Sequence, residues 1–221
     1  MSAADPHDGQ PILAAGRPVG EARGAVVLVH GRGATAQGIL SLVPELERLG
    51  LERRDLAWVA PQARGGSWYP RSFLAALADN EPWLGSALAL VGRAVDGLAA
   101  AGMPAERTVL LGFSQGACLT CEYVARTPRR WGGVAALTGG ILGPPGEPRS
   151  LPPDGAGDLA GTPAVLASGD PDPHVPWSRV EETAALLRRL GAEVTLQRHP
   201  GRPHTVSLPE LVAVAKLLAA L

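Results

Sequence analysis

The sequence is poor in several things, and each scarcity closes a class of function. Only two cysteines occur, Cys118 and Cys121, too few for a disulfide framework or a four-thiolate zinc site. Their spacing of three puts both thiols near one face of a helix, where free cysteine serves as a small apolar filler, so the C-x-x-C pair reads as core rather than redox chemistry. Lysine is almost absent: 19 of the 20 cations are arginine, and Lys216 is the exception. With a formal net charge of -1 and no basic cluster, the chain lacks the concentrated positive charge that a nucleic-acid surface needs. No run reaches the ~18 apolar residues of a membrane span. The opening stretch MSAADPHDGQ has neither the positive nor the apolar region of a secretory leader. The expectation is a soluble, cytoplasmic protein with a small-molecule partner, no nucleic acid and no membrane span. Whether it is a monomer or a homodimer stays open.

What the sequence does have is punctuation. Twenty-eight glycines and 21 prolines divide an alternation of short apolar runs and helical periods, the pattern of a parallel sheet covered on both faces. The length of 221 residues suits a single domain spanning 1–221, with residues 1–11 expected to be loose. Residues 11–19 read as a short outer strand or hairpin. Strands are expected near 24–30, 55–60, 108–113, 133–138, 164–167 and 193–198. Helices are expected over 36–49, closed by Gly50, and over 80–101, 115–127, 177–190 and 206–221. The fold class is therefore α/β, a mainly parallel, doubly wound sheet. The Gly/Pro-rich connection over 139–163 has no helical period long enough for a lid domain, so an open site is expected.

The stretch Gly112-Phe113-Ser114-Gln115-Gly116 carries the chemistry. A serine between a strand and a helix, with glycine two positions away on each side, fits a corner that holds the serine at positive φ and exposes its hydroxyl. Such a turn aims the free N–H of Gln115 at whatever the hydroxyl attacks. Upstream, the strand ending at His30 runs into Gly31-Arg32-Gly33, where the Arg32 N–H is the candidate second oxyanion donor and Gly31 lets a ligand approach the backbone. A serine hydroxyl also needs an imidazole to accept its proton and a carboxylate to orient that imidazole. Past a later strand lie Asp170 and Asp172, and past the last strand lie His199 and His204. His204 is favoured as the base because it sits on the loop rather than at the strand end, with His199 as its rival. Asp172 is favoured as the acid, with Asp170 as its rival. The same residues with His174 could be imagined as a metal cluster, but they lack ligand spacing, so no metal and no cofactor are expected. Trp68, with Tyr69 and Phe73 on the same loop beyond a strand, is a candidate for the pocket wall or for core cover, and Leu142 and Val175 are further candidate substrate contacts.

Taken together, GFSQG, the HGRGA turn, the SWYP loop, the NEP helix start, GDPDPHVP and the closing HPGRPH resemble the phospholipase/carboxylesterase family of small α/β-hydrolases, which is related to acyl-protein thioesterases. The resemblance covers roughly residues 24–220. It implies an α/β-hydrolase fold without a lid domain and a serine carboxylesterase with the triad Ser114, Asp172 and His204. It also implies backbone oxyanion donors at Arg32 and Gln115, acting on carboxylic esters or thioesters through an acyl-enzyme. A lysophospholipase or acyl-protein thioesterase is the alternative within hydrolases. A non-catalytic, hydrolase-like binding protein for a small ligand is the alternative of another class.

Overall fold

The computed structural model describes residues 5–49, 55–147 and 158–221. Seven strands, β1 (Ile12–Gly16), β2 (Gly24–Val29), β3 (Leu56–Pro61), β4 (Thr108–Phe113), β5 (Gly133–Leu137), β6 (Pro163–Asp170) and β7 (Glu193–Pro200), form one sheet in the order β1-β3-β2-β4-β5-β6-β7. All neighbouring pairs are parallel except β1 with β3. Every residue of β2, β3 and β5 is buried, which is why their apolar runs do not alternate: both faces are covered.

Successive strand residues point to opposite faces, and the core is split accordingly. Val27, Val29, Leu110 and Val134 pack on one side with α3 (Trp83–Ala100), α4 (Gln115–Arg126) and α5 (Trp177–Arg189). Val26, Leu28, Val109 and Leu111 pack on the other with α1 (Ala36–Leu40), α2 (Val43–Arg48) and α6 (Leu208–Ala219). The sheet is thus doubly wound, with the α/β-hydrolase arrangement. Among the described residues, α3 alone has the length and hydropathy to cross a membrane. It instead buries Leu84, Ala87, Leu90, Val91 and Val95 against the core and leaves Arg93 and Asp96 exposed.

Two regions differ from the sequence-based expectation. The helix expected over 36–49 is broken into α1 and α2, with Pro44 in the first turn of the second piece. A proline ring cannot sit inside a continuous helix without losing a bond and clashing with the preceding turn. The expected stop at Gly50 lies outside the described residues. The N-terminal segment, expected to be loose, is docked from Asp5 onward. His7 is fully buried, its backbone N–H donates to Ser86 Oγ at 2.8 Å, and Asp5 hydrogen-bonds the same hydroxyl and pairs with Arg93. Turn residues surround His7 in the sequence, so periodicity gave no signal for a buried side chain there.

Candidate active site

Ser114 stands between β4 and α4 at φ 53°, ψ -119°, a left-handed conformation costly for any residue with a Cβ. The flanking glycines make that corner possible. A Cβ on Gly112 would run into the backbone of Gly116, and one on Gly116 would run into the carbonyls of Val29 and His30. The turn is fastened by Ser114 N–H donating to Leu137 O at 2.9 Å and Cys118 N–H donating to Ser114 O at 3.0 Å.

The loops after β6 and β7 bring two side chains to this hydroxyl. His204 Nε2 lies 2.8 Å from Ser114 Oγ, and His204 Nδ1 lies 2.9 and 3.1 Å from the two oxygens of Asp172. The Asp172 carboxylate is wholly buried, while the His204 ring is 19% exposed. Burial pushes the Asp172 carboxyl up, but the N–H groups of His174 and Val175, both 2.9 Å from Oδ1, and the His204 imidazole more than offset this. The carboxyl is held below its ordinary value. A carboxylate so held keeps the imidazole in one tautomer, leaving Nε2 free to accept a proton.

The rival pair lies on the strands themselves. Strands β6 and β7 run further than the expected ends, to Asp170 and Pro200, with Gly169 opposite His199 and Asp170 opposite Pro200. Asp170 takes a 2.6 Å hydrogen bond from Arg198 Nε, and His199 is a strand residue. The loop carrying His204 is pinned behind by Arg202 paired with the buried Glu210 and by Arg202 Nη1 donating to Thr205 O at 2.8 Å. Glu210 Oε2 also accepts from Ser207 N–H at 2.7 Å, capping α6.

On the opposite side of Ser114 the site is built from backbone and buried rings. In the turn after His30, Gly33 N–H is spent on Gly66 O at 2.8 Å and Ala34 N–H on Gly31 O at 3.2 Å. Gln115 is the first residue of α4, so its backbone N–H has no intrahelical carbonyl to bond. The Gln115 side chain accepts from Trp68 N–H at 3.0 Å and donates to Tyr69 O at 2.8 Å. Trp68, fully buried, donates from its indole to His30 O at 2.8 Å. His30 Nε2 accepts from Ala63 N–H at 3.1 Å, and Nδ1–H donates to Gly31 O at 2.8 Å. His7 does the same one layer further back, accepting from Arg64 N–H at 3.1 Å and donating to Trp68 O at 3.0 Å. Burial lowers both imidazoles from 6.5, and each ring has a nitrogen that accepts from a backbone N–H, which an imidazolium cannot do.

A cleft of about 490 Å³ opens over Ser114, His204 and Gln115, lined further by Arg32, Tyr69, Arg71, Phe73, Cys118 and Val175. Val175 is among the lining residues. Trp68 and Leu142 do not line the cleft: both are fully buried, Trp68 as a support behind the wall and Leu142 through its carbonyl, which accepts from Arg179. Gly31 lines a smaller apolar hollow of about 150 Å³ beside His30 and Phe113. Of the cleft residues, Tyr69 and Phe73 belong to the aromatic loop read from the sequence as a pocket wall, whereas Arg71, directly after the SWYP signature, carries no such sequence signal. Cys118 lines the cleft, yet burial pushes its thiol up to about 12 and Cys121 well above the ordinary range, consistent with the core role read from their spacing. Among the described residues no cluster of three or more His, Cys, Asp or Glu side chains could hold a metal ion.

Comparisons with known proteins identify the family. A phospholipase/carboxylesterase family profile matches residues 12–221. The chain is 28% identical over 214 residues to acyl-protein thioesterase 1 of Gibberella zeae, covering 87% of this chain and 88% of that one. In structure it resembles the phospholipase/carboxylesterase of Dyadobacter fermentans, with a TM-score of 0.86 at 44% identity over 96% of this chain and 97% of the other. It also resembles esterase PE8, with a TM-score of 0.76 at 28% identity, covering 95% and 97% of the two chains.

Proposed function

Because the chain belongs to the phospholipase/carboxylesterase family and is a hydrolase of the esterase and thioesterase kind, we propose that it is a serine carboxylesterase. In this reading it cleaves small carboxylic esters or thioesters through an acyl-enzyme on Ser114. The observation that carries it is the continuous chain of hydrogen bonds from Asp172 through His204 to Ser114 Oγ at the mouth of a cleft.

Ser114 Oγ attacks the substrate carbonyl while its proton passes to His204 Nε2, and Asp172 stabilises the imidazolium that forms. The negative charge on the former carbonyl oxygen is met by the backbone N–H groups of Arg32 and Gln115, donors already fixed before the reaction. The imidazolium then returns its proton to the departing alkoxide or thiolate, leaving an acyl ester on Ser114. Water, deprotonated by His204, attacks that ester, and the imidazolium returns the proton to Ser114 Oγ as the acid is released. No step calls for a cofactor. The cleft of about 490 Å³ suits a small ester.

Replacing Ser114 with Ala removes the nucleophile while sparing the core. The variant is expected to keep its circular dichroism spectrum and lose hydrolysis of p-nitrophenyl esters, by about a millionfold in kcat. It should also lose covalent labelling by a fluorophosphonate. Activity retained in this variant would overturn the reading. Folded wild-type protein that takes no label would favour a non-catalytic binding protein. An acyl-chain-length series separates this carboxylesterase from a lysophospholipase or acyl-protein thioesterase, since only the latter pair would peak at long chains.

A further inference from the structure

Resting on the serine esterase reading, we infer that the preferred substrates are anionic: esters that carry a carboxylate or phosphate group in addition to the bond cleaved. Arg32 and Arg71 line the same cleft as Ser114, and no Asp or Glu is among the described residues that line it. The one carboxylate of the triad, on Asp172, is buried and already engaged by His204 and two backbone N–H groups.

Arg32 is placed for this task by its own bonding. Its guanidinium donates from Nη1 to Pro70 O at 3.2 Å and from Nη2 to Tyr69 O and Arg71 O, both at 2.9 Å, and lies 5.9 Å from the Tyr69 ring centre. All these acceptors are neutral. The positive charge is thus held in one orientation, and among the described residues no carboxylate neutralises it and no acceptor takes its Nε–H or second Nη1–H, two of the five donors a guanidinium offers. An immobilised arginine has little side-chain entropy left to lose on binding an anion, and its planar donors match a carboxylate or phosphate. Arg32 also supplies the proposed oxyanion N–H, so its charge lies one side chain away from the reacting carbonyl. Arg71 adds a second exposed cation on the same cleft, and among the described residues no carboxylate pairs with it.

The anionic group can sit on either half of the ester, and two probes separate the cases. Para-nitrophenyl hydrogen adipate carries the charge on the acyl half and para-carboxyphenyl hexanoate carries it on the leaving group. Para-nitrophenyl hexanoate is the neutral reference. At low ionic strength at least one charged ester is expected to exceed the reference in kcat/KM by about tenfold, chiefly through KM, because an ion-assisted hydrogen bond is worth roughly that factor. The advantage should shrink as salt is raised. Arg71→Gln should cut the charged-to-neutral ratio several-fold. Arg32→Gln should cut it further and Arg32→Lys should restore part of it, whereas a mere tie to the 69–71 loop would lower charged and neutral esters together. Arg188→Gln, at the far end of α5, should leave the ratio where it is. A ratio of one or below for both charged esters, or a ratio unmoved by Arg71→Gln, overturns the inference while leaving the esterase reading intact. Absence of hydrolysis with all three esters overturns both.

Discussion

The two halves of the site are built on different principles. On one side, His204 and Asp172 sit on loops beyond β6 and β7 and depend on side-chain hydrogen bonds near the surface. On the other, the turn bearing Arg32 and the start of α4 rest on a fully buried stack of His30, Trp68 and His7, tied by backbone groups. The contrast follows from the work proposed for each half. A base must accept and release a proton, so its ring needs one free nitrogen and some access. An oxyanion site gains by not moving at all, since donors that need no reorganisation lower the barrier most. The first half is therefore expected to fail by losing rate, the second by losing stability.

The sharpest division would come from Asp172→Asn. The amide preserves the shape but cannot stabilise an imidazolium or hold the same tautomer, so kcat is expected to fall about ten-thousand-fold with little change in the urea midpoint. A midpoint that collapsed alongside the rate would erase the distinction between the halves. Trp68→Ala is the counterpart behind the opposite wall. It empties a fully buried indole site and strands the His30 carbonyl, and should cost about 3–5 kcal/mol in urea unfolding, with activity lost in proportion to unfolding. If Trp68→Ala stayed fully stable, the buried stack would not be a scaffold.

The smallest effect concerns pH. Burial lowers His7 and His30 from 6.5 in the native state, so as the pH falls through 6.5 the unfolded chain takes up protons that the native state refuses. Stability should be full above that value and decline as pH drops towards the lowered native values. His7→Gln keeps a donor and an acceptor but cannot be protonated, and it should flatten the decline measured by thermal melts between neutral and mildly acidic pH. An unchanged slope would remove His7 from the account.

Much of this was legible in the sequence, for identifiable reasons. The run 108–113 and the motif around Ser114 were readable because strand, turn and helix each have strong local signatures, and the fold class followed from the unbroken apolar runs. The choice of Asp172 over Asp170, and of His204 over His199, was reachable only as a preference. Distances settle which pair lies beside Ser114: β6 and β7 extend to Asp170 and Pro200, leaving the rivals on strand ends and the favoured residues beyond them. The support behind the cleft was illegible. His7 and Trp68 are 61 positions apart, and Gln115 and Trp68 are 47 apart, so nothing in local periodicity joins them. Trp68 illustrates the limit: an indole that donates to a backbone carbonyl inside the core cannot be told from one that faces a ligand until its neighbours are placed.

The burial of both cysteines also makes the molecule almost silent to thiol chemistry. Cys118 borders the cleft, but with its proton held to about 12 it offers a maleimide almost no thiolate at neutral pH, and burial pushes the Cys121 thiol up as well. A single cysteine introduced at Ser72, which is exposed and lines the same cleft, would then be the one reactive thiol. The native protein already provides a clean background for attaching a fluorophore or spin label beside Ser114 and watching esters arrive and acids leave.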